Sequence, residues 1–282
     1  MSTSIVVDKC FLQASPASYI RDLASTHRLL VSESLFYELL TTDRRKRADC
    51  FKKLPQTENP VDLVHPSGHL IRIELETRCP AGPPSKNLIP DRFEFHPGLT
   101  DPDFEMAQEA FDVLEEQRRD VEADILAVIS RARDIDTFFS GLRERSDGAR
   151  RRAIAVAEAK IAHPGSLTEF IRSLPPAPDR PDWSLPPSVD ESWAVYRWLQ
   201  VQFLFAVELF ERYRGDIPEF ESMSLKAHER LEHDIHDAQG LVLGCLEGAF
   251  ATDETKLKRW FRLLRPQGVL LGSPRKPLSP AA

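Results

Sequence analysis

Residues 4–40 read S-I-V-V-D-K-C-F-L-Q-A-S-P-A-S-Y-I-R-D-L-A-S-T-H-R-L-L-V-S-E-S-L-F-Y-E-L-L, and how this stretch is read decides the fold. Ser4-Ile5-Val6-Val7 is a short apolar run ending in Asp8. A strand covered on both faces of a parallel sheet has that pattern, because both sets of side chains need apolar surroundings. Ser15-Pro16 opens a helix to about residue 26, with Ser15 as cap and the proline in the first turn. Leu29-Leu30-Val31 is a second strand, and Ser32-Glu33-Ser34 starts a helix whose apolar face is Leu35, Phe36, Leu39 and Leu40. Strand, helix, strand, helix in so short a span means a parallel sheet with right-handed crossovers.

The same pattern returns near the other end. Residues 232–246 form a helix with apolar positions Ile235, Ala238, Leu241, Val242 and Cys245, and Gly248 breaks it. Ala249-Phe250-Ala251 is a short strand running into Thr252-Asp253, 254–264 is a helix, and Val269-Leu270-Leu271 is a last strand. Between the two halves, 61–76 reads as a hairpin turned at Pro66-Ser67-Gly68, followed by a Pro-rich loop at 80–90. Helices are expected over 103–133, 135–142, 148–162 and 166–173, then a Pro-rich connector at 174–188. The helix over 190–214 carries two apolar stripes, one through Tyr196, Leu199, Phe203, Val207 and Phe210, the other through Trp198, Val201, Phe205 and Leu209. Two stripes mean cover on two sides. The expected fold is therefore α/β: residues 1–60 and 230–272 build one parallel-sheet domain, 61–229 is a hairpin plus a largely α-helical insertion, and 273–282 is a flexible tail.

Composition sets the class. With 282 residues, 41% hydrophobic and 29% charged, the chain has the make-up of a globular protein large enough for a full core. Cys10, Cys50, Cys79 and Cys245 are isolated, without the paired spacing of a zinc ribbon or a disulfide framework, so a reducing compartment and a cytoplasmic location are expected. Residues 1–5 show no secretory signal. The most apolar run, 193–210, contains Arg197, Gln200, Gln202 and Glu208, groups a bilayer penalises, so a buried helix and no membrane partner are expected. The net charge of −7 is unevenly placed. Lys and Arg outnumber Asp and Glu by 9 to 8 in residues 1–70 and by 8 to 6 in 230–282, whereas 71–229 holds 20 against 30. Basic ends fit a polyanion partner there, although so small an excess also arises by chance.

Four acidic residues stand where this topology gathers side chains. Asp8 follows the first strand, Glu38 lies on the helix after the second, Asp237 is on the helix entering the Ala249 strand, and Asp253 follows that strand. Open parallel sheets form their sites beyond the carboxyl ends of the strands. Carboxylates crowded there repel one another unless a cation neutralises them. Mg²⁺ or Mn²⁺ suits such oxygen ligands, and the matching chemistry is ion-activated water attacking a phosphodiester. Each residue also has an ordinary explanation, Asp8 and Asp253 as helix caps and Glu38 as a boundary residue of an amphipathic helix.

The segments S-I-V-V-D-K-C-F-L (4–12), L-L-V-S-E-S-L-F-Y-E-L-L (29–40) and D-A-Q-G-L-V-L-G-C-L-E-G-A-F-A-T-D-E-T-K-L (237–257) resemble the three blocks of a PIN-like nuclease domain. The resemblance implies a PIN-like parallel sheet flanked by helices and an acidic site for Mg²⁺ or Mn²⁺ that cleaves RNA or DNA. It makes Asp8 the first-strand aspartate, Glu38 the second-helix glutamate, Asp237 the aspartate opening the helix and Asp253 that of the A-T-D turn, with Thr252 at the small hydroxyl position before it. Asp234 shares nearly the same helix face as Asp237, so either can be the ligand. The family includes toxins and defence effectors.

Basic residues flank these blocks: Arg44-Arg45-Lys46-Arg47 with Lys52 and Lys53 after the Glu38 helix, and Lys256, Lys258, Arg259, Arg262 and Arg265 after Asp253. Lys9, Arg44, Lys256, Lys258 and Arg259, with Thr252, are the expected substrate contacts, although a solvated basic face accounts for the same pattern. The pairs His233-Asp234 and His236-Asp237 resemble the metal dyad of HD-type phosphohydrolases, a family that is all-helical and does not fit strands at both ends. The expected function is a metal-dependent endonuclease acting on nucleic acid, RNA ahead of DNA. The alternative is a catalytically inactive PIN-like protein that binds a protein partner or inhibitor through its helical insertion.

Overall fold

The computed structural model describes residues 3–57, 59–89, 96–105, 107–144, 146–173, 186 and 188–274. Five strands form one all-parallel sheet: β1 (Thr3–Val7), β2 (His27–Ser32), β3 (Asp62–Val64), β4 (Ala249–Ala251) and β5 (Val269–Leu271), in the order β3-β2-β1-β4-β5. β1 is central. Thr3 pairs with His27 and Val6 with Leu30 on one side, and Val7 with Ala251 on the other, so the two ends of the chain share the middle of the sheet.

Strand alternation assigns the side chains to two cores. Ile5, Val7, Leu29, Val31, Leu63, Ala249 and Ala251 lie in the core on one face. That face is covered by α1 (Lys9–Ala14), α2 (Ala17–Thr26), α3 (Glu33–Thr41) and α4 (Arg44–Lys53), through Phe11, Leu12, Ile20, Leu35 and Phe51. Val6, Leu30, Val64 and Phe250 lie in the larger core on the opposite face. There α11 (Leu225–Glu247) and α12 (Thr255–Leu264) cover the sheet, and the helices between β3 and β4 pack beyond them: α5 (Ser67–Thr77), α6 (Gln108–Arg133), α7 (Ile135–Phe138), α8 (Asp147–Ala162), α9 (Thr168–Ser173) and α10 (Ala194–Arg212).

Helix α10 is enclosed on several sides, as its two stripes require. Phe203 meets Phe139 and Phe170, while Phe205 packs edge-on to Trp260 of α12. The polar residues buried with them are held by specific partners. Arg197 donates to Gln200 Oε1 at 2.8 Å and to the Leu264 carbonyl at 3.0 Å, and Gln200 donates to the Ile161 carbonyl at 2.9 Å. Among the described residues no helix is long and apolar enough to cross a membrane.

Two local expectations are corrected. The hairpin over 61–76 is instead β3 followed by α5, with β3 running parallel to β2 (Leu30 opposite Asp62, Ser32 opposite Val64). Pro66 is the N-cap rather than the turn, and the buried positions after it, Ser67, Leu70 and Glu74, have helical rather than alternating spacing. β3 thereby belongs to the sheet that residues 1–60 begin. Ser15 does not cap α2; it ends the unexpected short helix α1, and Pro16 takes the N-cap position. The Pro-rich connector at 174–188, apart from residues 186 and 188, and the tail from 275 onward lie outside the described residues.

Candidate active site at the carboxyl edge of the sheet

Asp8 leaves the carboxyl end of β1, where its backbone N–H extends the ladder to the Ala251 carbonyl at 3.0 Å. Its side chain caps nothing, although it occupies the N-cap position of α1. The carboxylate instead accepts from Thr252 Oγ1 and from Cys10 Sγ, each at 2.7 Å. Thr252 also accepts the Glu254 backbone N–H at 3.1 Å, and Cys10 accepts that of Asp253 at 3.2 Å. Thr252 is fully buried, so it fixes a carboxylate rather than facing a substrate.

Asp8 lines a cleft of about 310 Å³ together with Glu38 from α3, Asp237 from α11 and Glu254 at the start of α12. Glu38 projects from a helix capped by Ser32, whose hydroxyl accepts the Leu35 N–H at 3.0 Å. Asp237 lies in the middle of α11 rather than opening it. The helix starts at Leu225, and its buried Ile235, Ala238, Leu241 and Val242 turn that flank toward the cleft.

The electrostatics separate Asp8, Asp237 and Glu38. Burial pushes the Asp8 carboxyl up to about 6, the Cys10 and Thr252 hydrogen bonds oppose this, and the Glu38 charge adds to it. Burial, then the charges of Asp8 and Glu254, hold Asp237 well above the usual carboxylate range. Glu38 goes the other way. Burial alone would raise it, but a 2.8 Å contact from His233 Nδ1 and a 3.1 Å ion pair with Lys9 bring it below its ordinary value. Lys256 Nζ stands 2.8 Å from Asp234, 3.5 Å from Asp237, 3.4 Å from Glu254 and 3.4 Å from Glu208. Lysine cations thus meet the cleft's carboxylates at Glu38, through Lys9, and at Asp237 and Glu254, through Lys256.

The expected site residues divide accordingly. Asp8, Glu38 and Asp237 are brought together. Asp234 is not in the cleft wall; Arg212 at 2.6 Å and Lys256 neutralise it. Asp253 is turned away as well, receiving Lys258 Nζ at 2.7 Å and the Ser273 N–H at 3.1 Å. Among the expected cationic contacts, Lys9 and Lys256 are spent on carboxylates, Lys258 on Asp253, and Arg259 on Glu158 of α8. Arg44 is exposed beside Glu105 and lines a different groove. The residues that sequence reasoning missed are Glu254, directly after the expected Asp253, and Cys10, which donates to Asp8; from the R-R-K-R run it is Lys46, an exposed lysine, that stands in the cleft wall. Among the described residues, no group of three or more His, Cys, Asp or Glu side chains is arranged to hold a metal ion as it stands. Compared with family models, with curated proteins and with solved structures, the chain matches none.

Proposed function

We propose that the chain is a metal-dependent phosphodiesterase of the PIN-like class, an endoribonuclease using Mg²⁺ or Mn²⁺ at the Asp8–Asp237 cleft. The observation that carries this reading is that Asp8 and Asp237, from opposite ends of the chain, share one cleft with both carboxyls raised, Asp237 in part by the charge of Asp8. A buried and a half-buried carboxylate so placed that one charge disfavours the other are an unfavourable arrangement that a divalent cation relieves. Mg²⁺ in particular is commonly held by one or two carboxylates while keeping several waters, so a site need not present three protein ligands beforehand. Bound there, such an ion supplies charge neutralisation for a phosphate and activation of the attacking water.

The chain's own groups have distinct parts in this reading. Asp8 and Asp237 hold the ion, and Thr252 and Cys10 fix the orientation of Asp8. Glu38 and Glu254 stand in the same wall, where their carboxylates would accept hydrogen bonds from water in the cleft. Lys46 meets a phosphate at the cleft mouth. His233, whose pKa the Glu38 hydrogen bond raises, is placed to give a proton to the leaving oxygen.

A second reading has one observation in its favour: Lys9 and Lys256 already neutralise part of the acidic charge, as in a PIN-like protein that has lost catalysis and binds a partner through its helical insertion. Titrating Mn²⁺ while following thermal unfolding and the cleavage of a single-stranded RNA distinguishes the two. The nuclease reading expects saturable stabilisation and cleavage, both lost in Asp8→Asn. Absence of both in the wild-type chain leaves the partner-binding reading.

A further inference from the structure

A second cavity, of about 350 Å³, lies across the α3–α11 seam from the acidic cleft. Its wall includes His65 and His69, at and just beyond the carboxyl end of β3, Asp124 of α6 and His236 of α11. Its size falls at the lower end of the range of small-molecule sites.

One buried group there has a hydrogen bond left to make. His236 is 6% exposed, and its Nδ1 is paired with Ser34 Oγ at 2.7 Å. Its Nε2 is buried and has no hydrogen-bond partner among the described residues. The nearest carboxylate oxygen with which it forms an ion pair, Glu232 Oε1, is 3.9 Å away, beyond hydrogen-bond reach. An orphaned buried polar atom is unfavourable until a partner is supplied, and His236 itself lines the cavity.

The rest of the wall suits a flat heterocycle. The His65 and His69 rings stack with centroids 3.8 Å apart and planes 19° from parallel, a stack that another planar ring extends. Burial, then the His69 charge, lowers the His65 pKa, which favours an uncharged ring face. Burial pushes the Asp124 carboxyl up to about 6, against the Gln239 hydrogen bond, so near neutrality it is mainly a carboxylate that accepts from the donors on a base edge. The cavity adjoins the acidic cleft through the same two helices. Ser34 and Glu38 are one turn apart on α3, and their partners His236 and His233 are one turn apart on α11.

We propose that this cavity is a nucleobase subsite, taking one base of the nucleic acid against the His65–His69 stack with its edge hydrogen-bonded to His236 Nε2 and Asp124. The assignment rests on the nucleic-acid reading of the adjoining cleft, and it makes cleavage base-selective. Free nucleosides test it separately, because they carry neither phosphate nor scissile bond. Each of the four ribonucleosides is titrated into the intact protein in the presence of EDTA, with binding followed by calorimetry. At least one is expected to saturate with a Kd on the order of 1 mM or tighter. Asp8→Asn leaves that affinity unchanged, whereas His236→Phe and the more accessible His69→Ala each weaken it about tenfold, one hydrogen bond or stack removed. Failure of every nucleoside to saturate at about 10 mM, or wild-type affinity in both folded histidine variants, overturns the subsite. Nucleoside binding without RNA cleavage supports the subsite and removes the phosphodiesterase reading; cleavage without nucleoside binding does the reverse.

Discussion

Thr252 Oγ1 donates a 2.7 Å hydrogen bond to Asp8 Oδ2 across 244 residues of chain. The bond is possible because β1 and β4 are neighbours in the sheet, so both residues emerge from the same carboxyl edge. It orients the carboxylate without neutralising it. The Cys10 contact to the same oxygen acts alike, and neither brings a cation to this buried acid. The site is thereby organised at some cost to the stability of the ion-free fold.

That cost is measurable in Asp8→Asn. The folded pKa of Asp8 is about 6 against an ordinary 3.8, so its protonated form favours the folded chain. This contribution is present in full below the ordinary value, declines as pH rises through about 6, and is absent at neutral pH. A displacement of that size corresponds to about 3 kcal/mol, an upper figure for a carboxyl with charged neighbours. Asn keeps an oxygen to accept from Thr252 and Cys10 but carries no charge. The variant is expected to melt higher than wild type at neutral pH without divalent ions, to show a flatter Tm–pH profile between the two pKa values, and to lose stabilisation by Mn²⁺. Thermal melts across that pH range check it. A lower ion-free Tm for the variant contradicts the expectation.

Lys256 makes the opposite prediction. Its ammonium is the shared cation of Glu208, Asp234, Asp237 and Glu254, and it also lies 4.5 Å from the Phe205 ring centroid. Burial alone would lower its pKa, but the surrounding carboxylates raise it overall. Lys256→Met keeps much of the apolar stem and removes the charge that Asp237 and Glu254 share, while Arg212 still pairs with Glu208 and Asp234. A loss of about 3–5 kcal/mol is expected, as when one partner of a buried ion network is deleted. Mn²⁺ should restore more stability to this variant than it adds to wild type, since the ion replaces the missing cation. Denaturant unfolding with and without Mn²⁺ reads both effects.

How legible this site is in the sequence follows from where each side chain gets its direction. Asp8 is readable because an apolar run with one acid at its end fixes both strand and edge. Asp253 occupies the same kind of position after β4, yet Ser273, beyond β5, and Lys258, one turn into α12, pull it out of the cleft. No local pattern encodes that pull, so nothing in the sequence favours Glu254 over its neighbour. The network of Lys256 draws its acids from α10, α11 and the start of α12, and only the packing of α10 against α11 brings them together. In the fold, β1, β2, β4 and β5 announce themselves as apolar runs. β3 does not, because Pro66-Ser67-Gly68 after a short strand carries the same turn signals whether a hairpin or a helix follows.

Asp253 and Glu254 separate by experiment. Burial would raise the Asp253 pKa, but hydrogen bonds from Lys258 and Ser273 hold it below the ordinary 3.8. A depressed folded pKa contributes stability that is present above the ordinary value and lost as pH falls through the lower one. Asp253→Asn should therefore lower stability at neutral pH by about 1 kcal/mol, since the group is partly exposed, and leave the Mn²⁺ response intact. Glu254→Gln should weaken Mn²⁺ stabilisation while changing the ion-free fold little. Parallel Mn²⁺ titrations of the two variants decide it, and loss of the response in Asp253→Asn alone would return Asp253 to the site.

Glu74 governs a different part of the molecule. It is fully buried near the end of α5, and its carboxylate receives the Ala194 N–H at 2.6 Å, the Val195 N–H at 3.0 Å and the Ala81 N–H at 3.2 Å. The N-cap residue of α10, Trp193, has no side chain able to do this, so a glutamate 120 residues earlier caps this largely buried helix. An anion is also favoured at that helix end by the aligned peptide dipoles. Glu74→Leu fills similar space but abandons three buried N–H donors, each costing about 1–3 kcal/mol when left unpaired. Glu74→Gln keeps one oxygen for Ala194 and Ala81 and turns an amide donor toward the Val195 N–H, so it should lose less. The expected order of stability is wild type, then Gln, then Leu, with the largest increase in hydrogen exchange at the Ala194 and Val195 amides. Because Glu74 lies outside the acidic cleft, the Mn²⁺ response of folded Glu74→Gln should match wild type. Equal stability of the Leu variant and wild type would mean that α10 is held by its apolar faces alone.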